Sequence, residues 1–162
     1  MDESASIAEL PDALALRLAE LKARAVGRRR PGMLVLGSDQ VAHLAALRLS
    51  KPGTRAAAIA QLEASSGKTV CFATAVCLYD GRRDSVRLHL EVTSVTFRPL
   101  TLDEIQRYVD ADSPLDCAGS FRSESLGVAL VQSMRSDDPT GLIGLPLVAT
   151  ARMLRDAGLI LP

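Results

Sequence analysis

The sequence lacks several features that mark large classes of protein. It carries no excess charge, because 19 Lys and Arg residues balance 19 Asp and Glu residues. Proteins that grip a nucleic-acid backbone usually present a basic surface, so we expect no nucleic acid polymer as a partner. No apolar run approaches the ~20 residues that cross a bilayer. The N-terminal segment MDESASIAEL is acidic where a signal peptide is basic. We therefore expect a cytoplasmic protein with no membrane partner.

Cysteine and histidine are scarce, and their spacing fits no common site. The cysteines Cys71, Cys77 and Cys117 form no CxxC pair, which argues against a disulfide framework and a thiolate zinc site. His43 and His89 stand far apart, without an acidic or cysteine partner at ligand spacing. This indicates neither a histidine metal site nor a Cys-His couple. Neither standard phosphate-binding loop, GxxxxGK[ST] or GxGxxG, occurs.

What the sequence contains is typical of one globular domain of 162 residues, of which 48% are hydrophobic and 23% charged. Leucines at helical spacing after Pro11 predict a helix that ends near the arginine run 28–30. Arginines suit the negative end of a helix dipole, and we interpret the run in that way rather than as a nucleic-acid contact. The apolar segment MLVLG at 33–37 is typical of a buried strand.

A hairpin is predicted in the middle of the chain, with strands on either side of the turn dipeptide Asp80-Gly81. In its second strand the apolar residues occupy even positions up to Val92 and odd positions from Val95. Because side chains alternate between faces, this switch predicts a bulge or bend near Thr93 and Ser94. Since a hairpin is antiparallel and helices interleave with the strands, we expect an α/β fold with a mixed sheet.

The other elements follow from caps and turn residues. Segment 40–53 reads as irregular. The further predicted elements are a helix from Thr54 to about Ser65, a helix with a Thr101-Glu104 capping box, a loop over 116–127, a strand over 127–134 and a helix over 145–157.

Three polar segments stand out: GSDQV at 37–41, SKP at 50–52 and AGSFRSES at 118–125. Ligands of α/β sheets bind beyond the carboxyl ends of strands, where Asp39 is predicted to lie and could hold a divalent cation or orient a water. An Asp that caps a turn gives the same pattern, and locally this simpler interpretation is favoured. Lys51 can neutralise a phosphate as a point charge, although most lysines are solvated surface residues.

Taken together, these segments resemble the Maf family of nucleotide pyrophosphatases over nearly the whole chain. The motifs that carry the resemblance are the pair Asp2-Glu3, LAxxKA at 18–23, GSDQV around Asp39, KP at 51–52, DCAGSF at 116–121 and IGLPL at 143–147. Within the family, GSDQV and AGSFRSE are most similar to the subgroup associated with 7-methyl-GTP. Members that act on pyrimidine nucleotides typically have GADTV and AGAYxIQ in these places.

The resemblance implies a fold and a reaction. The fold is a mixed twisted sheet with flanking helices and a ligand cleft, like that of inosine triphosphatases. The reaction is hydrolysis of the α-β phosphate bond of a nucleoside triphosphate, 7-methyl-GTP or a related nucleotide, with a divalent cation such as Mg²⁺ or Mn²⁺. Asp39 matches the catalytic acidic residue and would hold the metal with Glu3, and Lys22 and Lys51 match substrate-binding positions. A homodimer is compatible with the resemblance.

Gln40 and Glu124 match positions that the family uses to choose its base. A carboxylate has only acceptors, so Glu124 could pair with the N1 and N2 hydrogens of guanine. The positive charge of an N7-methylated base would add Coulomb attraction. A solvated loop acid is the alternative interpretation of Glu124.

The chain departs from the family at its start. Family members begin with a strand and a turn of the form SxSxxRR or SxSxWRR upstream of the Asp-Glu pair, whereas this sequence begins at that pair. We therefore expect a single Maf-like domain over 1–162 that lacks the first strand and helix of the family, either because the chain is N-terminally truncated or because its start is misassigned. Two functions remain open: an active pyrophosphatase, and a catalytically weak or inactive nucleotide-binding or interaction protein of the same fold.

Overall fold

A computed structural model describes residues 9–162 as helices and a single five-stranded sheet. The strands are β1 (Leu34–Leu44), β2 (Leu47–Leu49), β3 (Thr69–Asp80), β4 (Ser85–Phe97) and β5 (Val131–Arg135). The α-helices are α1 (Pro11–Gly27), α2 (Arg55–Ser65), α3 (Leu102–Asp112) and α4 (Leu147–Asp156). Short 3₁₀ turns cover Ala118–Ser120, Leu126–Leu130 and Pro139–Ile143. The sheet order is β2-β1-β3-β4-β5, and the predicted α/β class is confirmed.

The predicted helix caps are confirmed. The hydroxyl of Thr54 accepts the backbone N–H of Ala57 at 3.2 Å at the start of α2. At α3, Thr101 Oγ1 accepts the Glu104 N–H at 3.3 Å while the Glu104 carboxylate accepts the Thr101 N–H at 2.8 Å. Each cap satisfies N–H groups that the helix leaves without an internal partner, which fixes where the helix begins. Among the helices of residues 9–162, none is long and apolar enough to cross a membrane.

Segment 40–53, predicted to be irregular, contains regular structure. Strand β1 continues to Leu44, turns at Ala45 with a positive φ of 50°, and pairs antiparallel with β2 through Ala42 and Leu49. The short β2 has two exposed residues out of three, so it lacks the apolar run that signals a buried strand. The predicted strand over 127–134 is displaced as well, because a 3₁₀ turn occupies 126–130 and β5 begins at Val131.

The change of buried face from which a bulge or bend is predicted near Thr93 and Ser94 does not occur between Glu91 and Phe97. Burial alternates without a break through Glu91, Thr93, Val95 and Phe97, which are 7%, 1%, 0% and 1% exposed. The same strand face is therefore buried from Glu91 to Phe97, although two of its residues are polar. The irregularity in the pairing of β4 with β5 lies between Thr96 and Phe97. Apolar Leu88 and Val92 lie on the other face, 42% and 40% exposed.

The contacts divide the chain into two units. The first unit contains the described residues up to Gln40, with 73–92 and 137–162. Its core includes Val76 and Leu78 of β3, which pack with Met153 of α4. The second unit contains 41–72 and 93–136.

The core of the second unit contains all the phenylalanines of the chain. The ring of Phe121 lies 5.8 Å from that of Phe72 and 5.3 Å from that of Phe97, centroid to centroid. All three rings are at most 5% exposed. Aromatic pairs at these separations add to the stabilisation from apolar burial. Phe121 belongs to the polar segment AGSFRSES, so this ring anchors that segment in the core.

Candidate functional site

Two of the predicted site residues form an ion pair in the first unit. The ammonium group of Lys22, on α1, donates to Oδ1 of Asp39, on β1. The Asp39 side chain is 14% exposed and that of Lys22 is 38% exposed. The carboxylate is thus largely withdrawn from solvent, whereas the lysine remains accessible from outside. A partly buried pair is screened less than a surface pair, so its attraction holds the two side chains together.

Gly37 explains why helix α1 reaches this strand. A Cβ atom at Gly37 would lie 2.4 Å from the carbonyl oxygen of Ala19 and 2.6 Å from the nitrogen of Ala23, both in α1. Only glycine permits such an approach of helix and strand backbones. Gly37 and Asp39 share a face of β1, since side chains repeat every second residue. The close contact therefore brings Lys22, between Ala19 and Ala23, to the carboxylate of Asp39.

The neighbours of Asp39 are bound on the opposite face of β1. The Ser38 hydroxyl lies 2.7 Å from the carbonyl oxygen of Ala75 and 2.6 Å from that of Gly144. The Gln40 Nε2 group has three acceptors: Oγ1 of Thr74 at 2.9 Å and the carbonyl oxygens of Gly141 and Leu142 at 3.2 and 3.1 Å. An amide nitrogen has two hydrogens, so these acceptors occupy both, and only Oε1 remains for a ligand.

In the second unit, the SKP and AGSF segments meet through Gln61 of α2. Its Nε2 donates to the carbonyl oxygen of Ser50 at 2.9 Å, and its Oε1 accepts the hydroxyl of Ser120 at 2.7 Å. Ser120 is fully buried and has a positive φ of 56°, which is costly for a residue with a Cβ and recurs at functional sites. Lys51 lies in this bridged loop and is exposed. Gln61 gave no signal in the sequence, because it stands alone in an Ala-rich helix.

Glu124 lies exposed in a loop that is anchored on both sides. Before it, the backbone N–H of Arg122 donates to the hydroxyl of Tyr108 at 3.1 Å, and the Arg122 guanidinium donates to the carbonyl oxygen of Asp112 at 3.2 Å. After it, the Ser125 hydroxyl donates to Oδ1 of Asp112 at 2.6 Å. Asp112 is 8% exposed. The loop is therefore fixed, while the carboxylate of Glu124 is presented to solvent.

Asp39 and Glu3 are the two predicted metal ligands. Glu3 lies outside the described residues. Within 9–162 no group of three or more His, Cys, Asp or Glu side chains gathers as a metal site. Mg²⁺ is commonly held by one or two carboxylates together with substrate phosphates and water. The single carboxylate of Asp39 fits that mode of binding, and it does not fit a site built from protein ligands alone.

The structure thus joins Lys22 with Asp39 in the first unit and builds the loops of Lys51 and Glu124 in the second. Gln40 follows Asp39 directly but is turned to the other face of β1. The catalytic, metal-binding and substrate-binding roles of these residues stay predictions from the family resemblance. Asp112 and Arg122, like Gln61, were not singled out by the sequence, since their partners are distant along the chain or are backbone groups.

Comparisons with known proteins agree with the motifs. A family model described as Maf-like protein matches residues 1–157. The chain is 56% identical over 163 residues to a 7-methyl-GTP pyrophosphatase of Xanthomonas oryzae pv. oryzae, covering 100% of this chain and 84% of that protein. It is 54% identical over 162 residues to one from Aromatoleum aromaticum, with the same coverage. A relative with this name from Burkholderia thailandensis is 50% identical over 161 residues, or 98% of this chain and 75% of that protein. The family model spans nearly the whole sequence, and these relatives are identical to it at half of the aligned positions or more. The chain therefore belongs to the Maf-like protein family.

Proposed function

We propose that this chain is a nucleoside triphosphate pyrophosphatase that acts on 7-methyl-GTP or a related nucleotide in the cytoplasm. It would add water across the α-β phosphate anhydride and release a nucleoside monophosphate and pyrophosphate. The observation that carries the proposal is the identity of 50 to 56% with proteins named 7-methyl-GTP pyrophosphatase, along 98 to 100% of this chain. A homodimer stays a prediction, which sedimentation velocity can test.

The pair of Lys22 and Asp39 supports this reaction. A triphosphate repels any anionic group that approaches it, so hydrolysis needs cations that neutralise the phosphates and the leaving pyrophosphate. Lys22 is accessible enough to exchange its contact with Asp39 for a phosphate oxygen. That exchange would free the carboxylate of Asp39 to orient a water and to take its proton. We propose these two roles, with Lys51 as a second cation for the phosphates.

We propose a divalent cation, Mg²⁺ or Mn²⁺, held by Asp39 and Glu3 together with substrate oxygens. When bound, such a cation withdraws charge from the phosphates. The base would be selected by Glu124, which offers acceptors to the N1 and N2 hydrogens of guanine, and by Gln40, whose free Oε1 is also an acceptor. A site that presents only acceptors discriminates against bases that present an acceptor in the same place.

The test is pyrophosphate release from a panel of nucleotides that includes 7-methyl-GTP, GTP, UTP and dTTP, with Mg²⁺ or Mn²⁺. We expect 7-methyl-GTP to give the highest kcat/KM. Asp39→Asn should lower kcat by about 10² to 10⁴, the usual contribution of a general base. The matched control is Asp110→Asn, which also removes a carboxylate from an ion pair, here an exposed one with Arg55. It should retain the activity of the parent protein.

Two results would contradict the proposal. Absence of turnover on every nucleotide, with both cations, would refute the pyrophosphatase function. Turnover by folded Asp39→Asn equal to that of Asp110→Asn would refute the role of Asp39 while leaving the activity in place.

A further inference from the structure

The segment that joins β5 to α4 is held by two buried carboxylates, Glu91 and Asp138, which are 7% and 3% exposed. Oε1 of Glu91 accepts the backbone N–H groups of Asp137 and Asp138 at 3.0 and 3.1 Å. Asp138 Oδ1 accepts the N–H of Thr140 at 3.1 Å, and its Oδ2 accepts the N–H of Val148 at 2.7 Å. Asp138 therefore binds both the beginning of this segment and the first turn of α4.

Further contacts make residues 138–146, here called the 138–146 turn, a rigid structure. The hydroxyl of Thr140 donates to Asp138 and accepts the N–H of Leu147 at 2.8 Å. A Cβ atom at Gly141 would lie 2.8 Å from Cγ of Glu91, so the turn packs tightly on β4. Burial by itself raises the pKa of Asp138, but the hydrogen bonds from Thr140 and the α4 N–H groups outweigh it and hold the pKa below its ordinary value. Asp138 is thus an anion at neutral pH.

The 138–146 turn binds β1 at the residues on both sides of Asp39. The carbonyl oxygen of Gly144, 2.6 Å from the Ser38 hydroxyl, shares the single hydrogen of that hydroxyl with the carbonyl oxygen of Ala75, and the carbonyl oxygens of Gly141 and Leu142 accept Gln40 Nε2. Carbonyl groups only accept, so these bonds fix the orientation of the amide as well as the strand. The residues immediately before and after Asp39 are therefore bound to one turn, which Asp138 anchors.

We propose that Asp138 is a positioning residue for Asp39: through the 138–146 turn it holds Ser38 and Gln40, and so keeps β1 in the place from which the Asp39 carboxylate acts. The inference rests on the proposed function, in which Asp39 is the catalytic residue. The ion pair alone does not provide this support, because a phosphate that attracts Lys22 removes it. The bonds on the opposite face of β1 persist when Lys22 leaves.

The first test is the kinetics of Asp138→Asn, in which an amide N–H replaces one acceptor among backbone N–H donors. We expect kcat for pyrophosphate release to fall about 10- to 100-fold, as for a small displacement of a reacting group, and KM to change less than about threefold. The control is Thr101→Ala, which removes the N-cap of α3 in the second unit. It should lower the melting temperature but leave kcat near that of the parent.

The second test separates positioning from general stability. Hydrogen exchange of the peptide over 34–44 should be faster in Asp138→Asn than in the parent, and unchanged in Thr101→Ala. In a Ser38→Ala background, Asp138→Asn should have a smaller relative effect on kcat than in the parent, because both act on one linkage. Should Asp138→Asn fail to fold, the same measurements are made on Thr140→Val. This change removes both hydrogen bonds of the Thr140 hydroxyl and nearly keeps the volume of the side chain.

Normal kcat together with normal β1 exchange in the folded variant would overturn the inference. So would a kcat loss in Thr101→Ala as large as that in Asp138→Asn. If the parent protein hydrolyses no nucleotide, the proposed function fails. Hydrogen exchange over 34–44 then decides whether Asp138 fixes the strand, and unchanged exchange would refute it.

Discussion

Gly37→Ala tests whether close helix-strand packing creates the pair of Lys22 and Asp39. The added Cβ would lie 2.4 Å from the Ala19 carbonyl oxygen, and ordinary contact begins near 3.4 Å. Helix α1 must therefore move by roughly 1 Å, since the atom it meets belongs to the backbone and cannot rotate away. Overpacking of this kind costs about 1–3 kcal/mol. For a chain of this size, that corresponds to a melting temperature lower by about 2–12 °C.

The same displacement carries Lys22 away from Asp39. A misplacement of about 1 Å near reacting groups can cost about 10² in rate, so we expect kcat/KM for 7-methyl-GTP to fall by about that factor. The matched control is Gly27→Ala, in the same helix, whose Cβ would lie 2.1 Å from the Tyr79 ring. The obstacle there is a buried side-chain ring rather than the backbone of another element, and Gly27 is more than one turn from Lys22. This variant should lose stability but much less activity.

The assays are pyrophosphate release and thermal unfolding on all three proteins under one set of metal and salt conditions. Gly37→Ala with parental activity and melting temperature would show that α1 accommodates the methyl group and that the close contact is not required. Equal loss of activity in Gly27→Ala would show that any disturbance of α1 acts on the site.

Two further predictions concern the second unit. Glu124→Gln should shift preference away from 7-methyl-GTP and GTP, because its amide replaces one acceptor with a donor that opposes the donors of guanine; an unchanged ranking in the nucleotide panel would exclude Glu124 from base selection. The backbone N–H of Thr101, then the Arg98 guanidinium and the Thr101 hydroxyl, lower the pKa of Glu104 from 4.5 to about 2. The ionised form thus stabilises the fold fully above pH 4.5, and this contribution is lost as the pH falls towards 2. When the pH is lowered from 4.5 to about 2, the melting temperature of Glu104→Gln should therefore fall less than that of the parent. Identical dependence of the two melting temperatures on pH would refute the role of the Glu104 carboxylate.

The elements that the sequence predicted well are those whose signals are local. The capping box of Thr101 and Glu104 needs partners three residues apart. The turn at Asp80 likewise closes on itself, since its carboxylate accepts the N–H of Arg82 at 2.9 Å. Such contacts can be read from residue types at fixed spacing, because the chain between the partners leaves little freedom.

The burial of β4 could not be predicted in this way. Polarity placed Glu91 and Thr93 on the solvent face, but both are buried. Glu91 receives backbone N–H groups from residues 46 and 47 positions later in the chain, and Thr93 bonds Ser136 at 3.2 Å. A buried polar group is tolerated when it is hydrogen-bonded, and such partners are invisible to a periodicity argument. The apparent change of face near Thr93 was thus a change in residue chemistry along a face that is buried from Glu91 to Phe97.

The candidate site shows the same division. The motifs named Asp39 and Lys22 through the family resemblance, and their contact depends on the space that Gly37 leaves for α1. The anchoring carboxylate Asp138 was not singled out, although it directly precedes the segment that leads into IGLPL. Apart from the hydroxyl of Thr140, its partners are backbone groups of its own turn and of α4, which carry no residue-specific signal.

The motif GSDQ therefore records packing on both faces of β1 as much as chemistry. Gly37 is required because helix backbone occupies the position of its side chain, and Ser38 because carbonyl groups surround its hydroxyl. Gln40 is required because a carboxylate there would oppose carbonyl oxygens. Asp39 is the only charged residue of the motif. The packing contacts just described do not involve its carboxylate, which has an exchangeable contact with Lys22. Changes at Gly37 and Ser38 should therefore act on the reaction through the placement of this one carboxylate, whereas a change at Gln40 should also alter the proposed selection of the base.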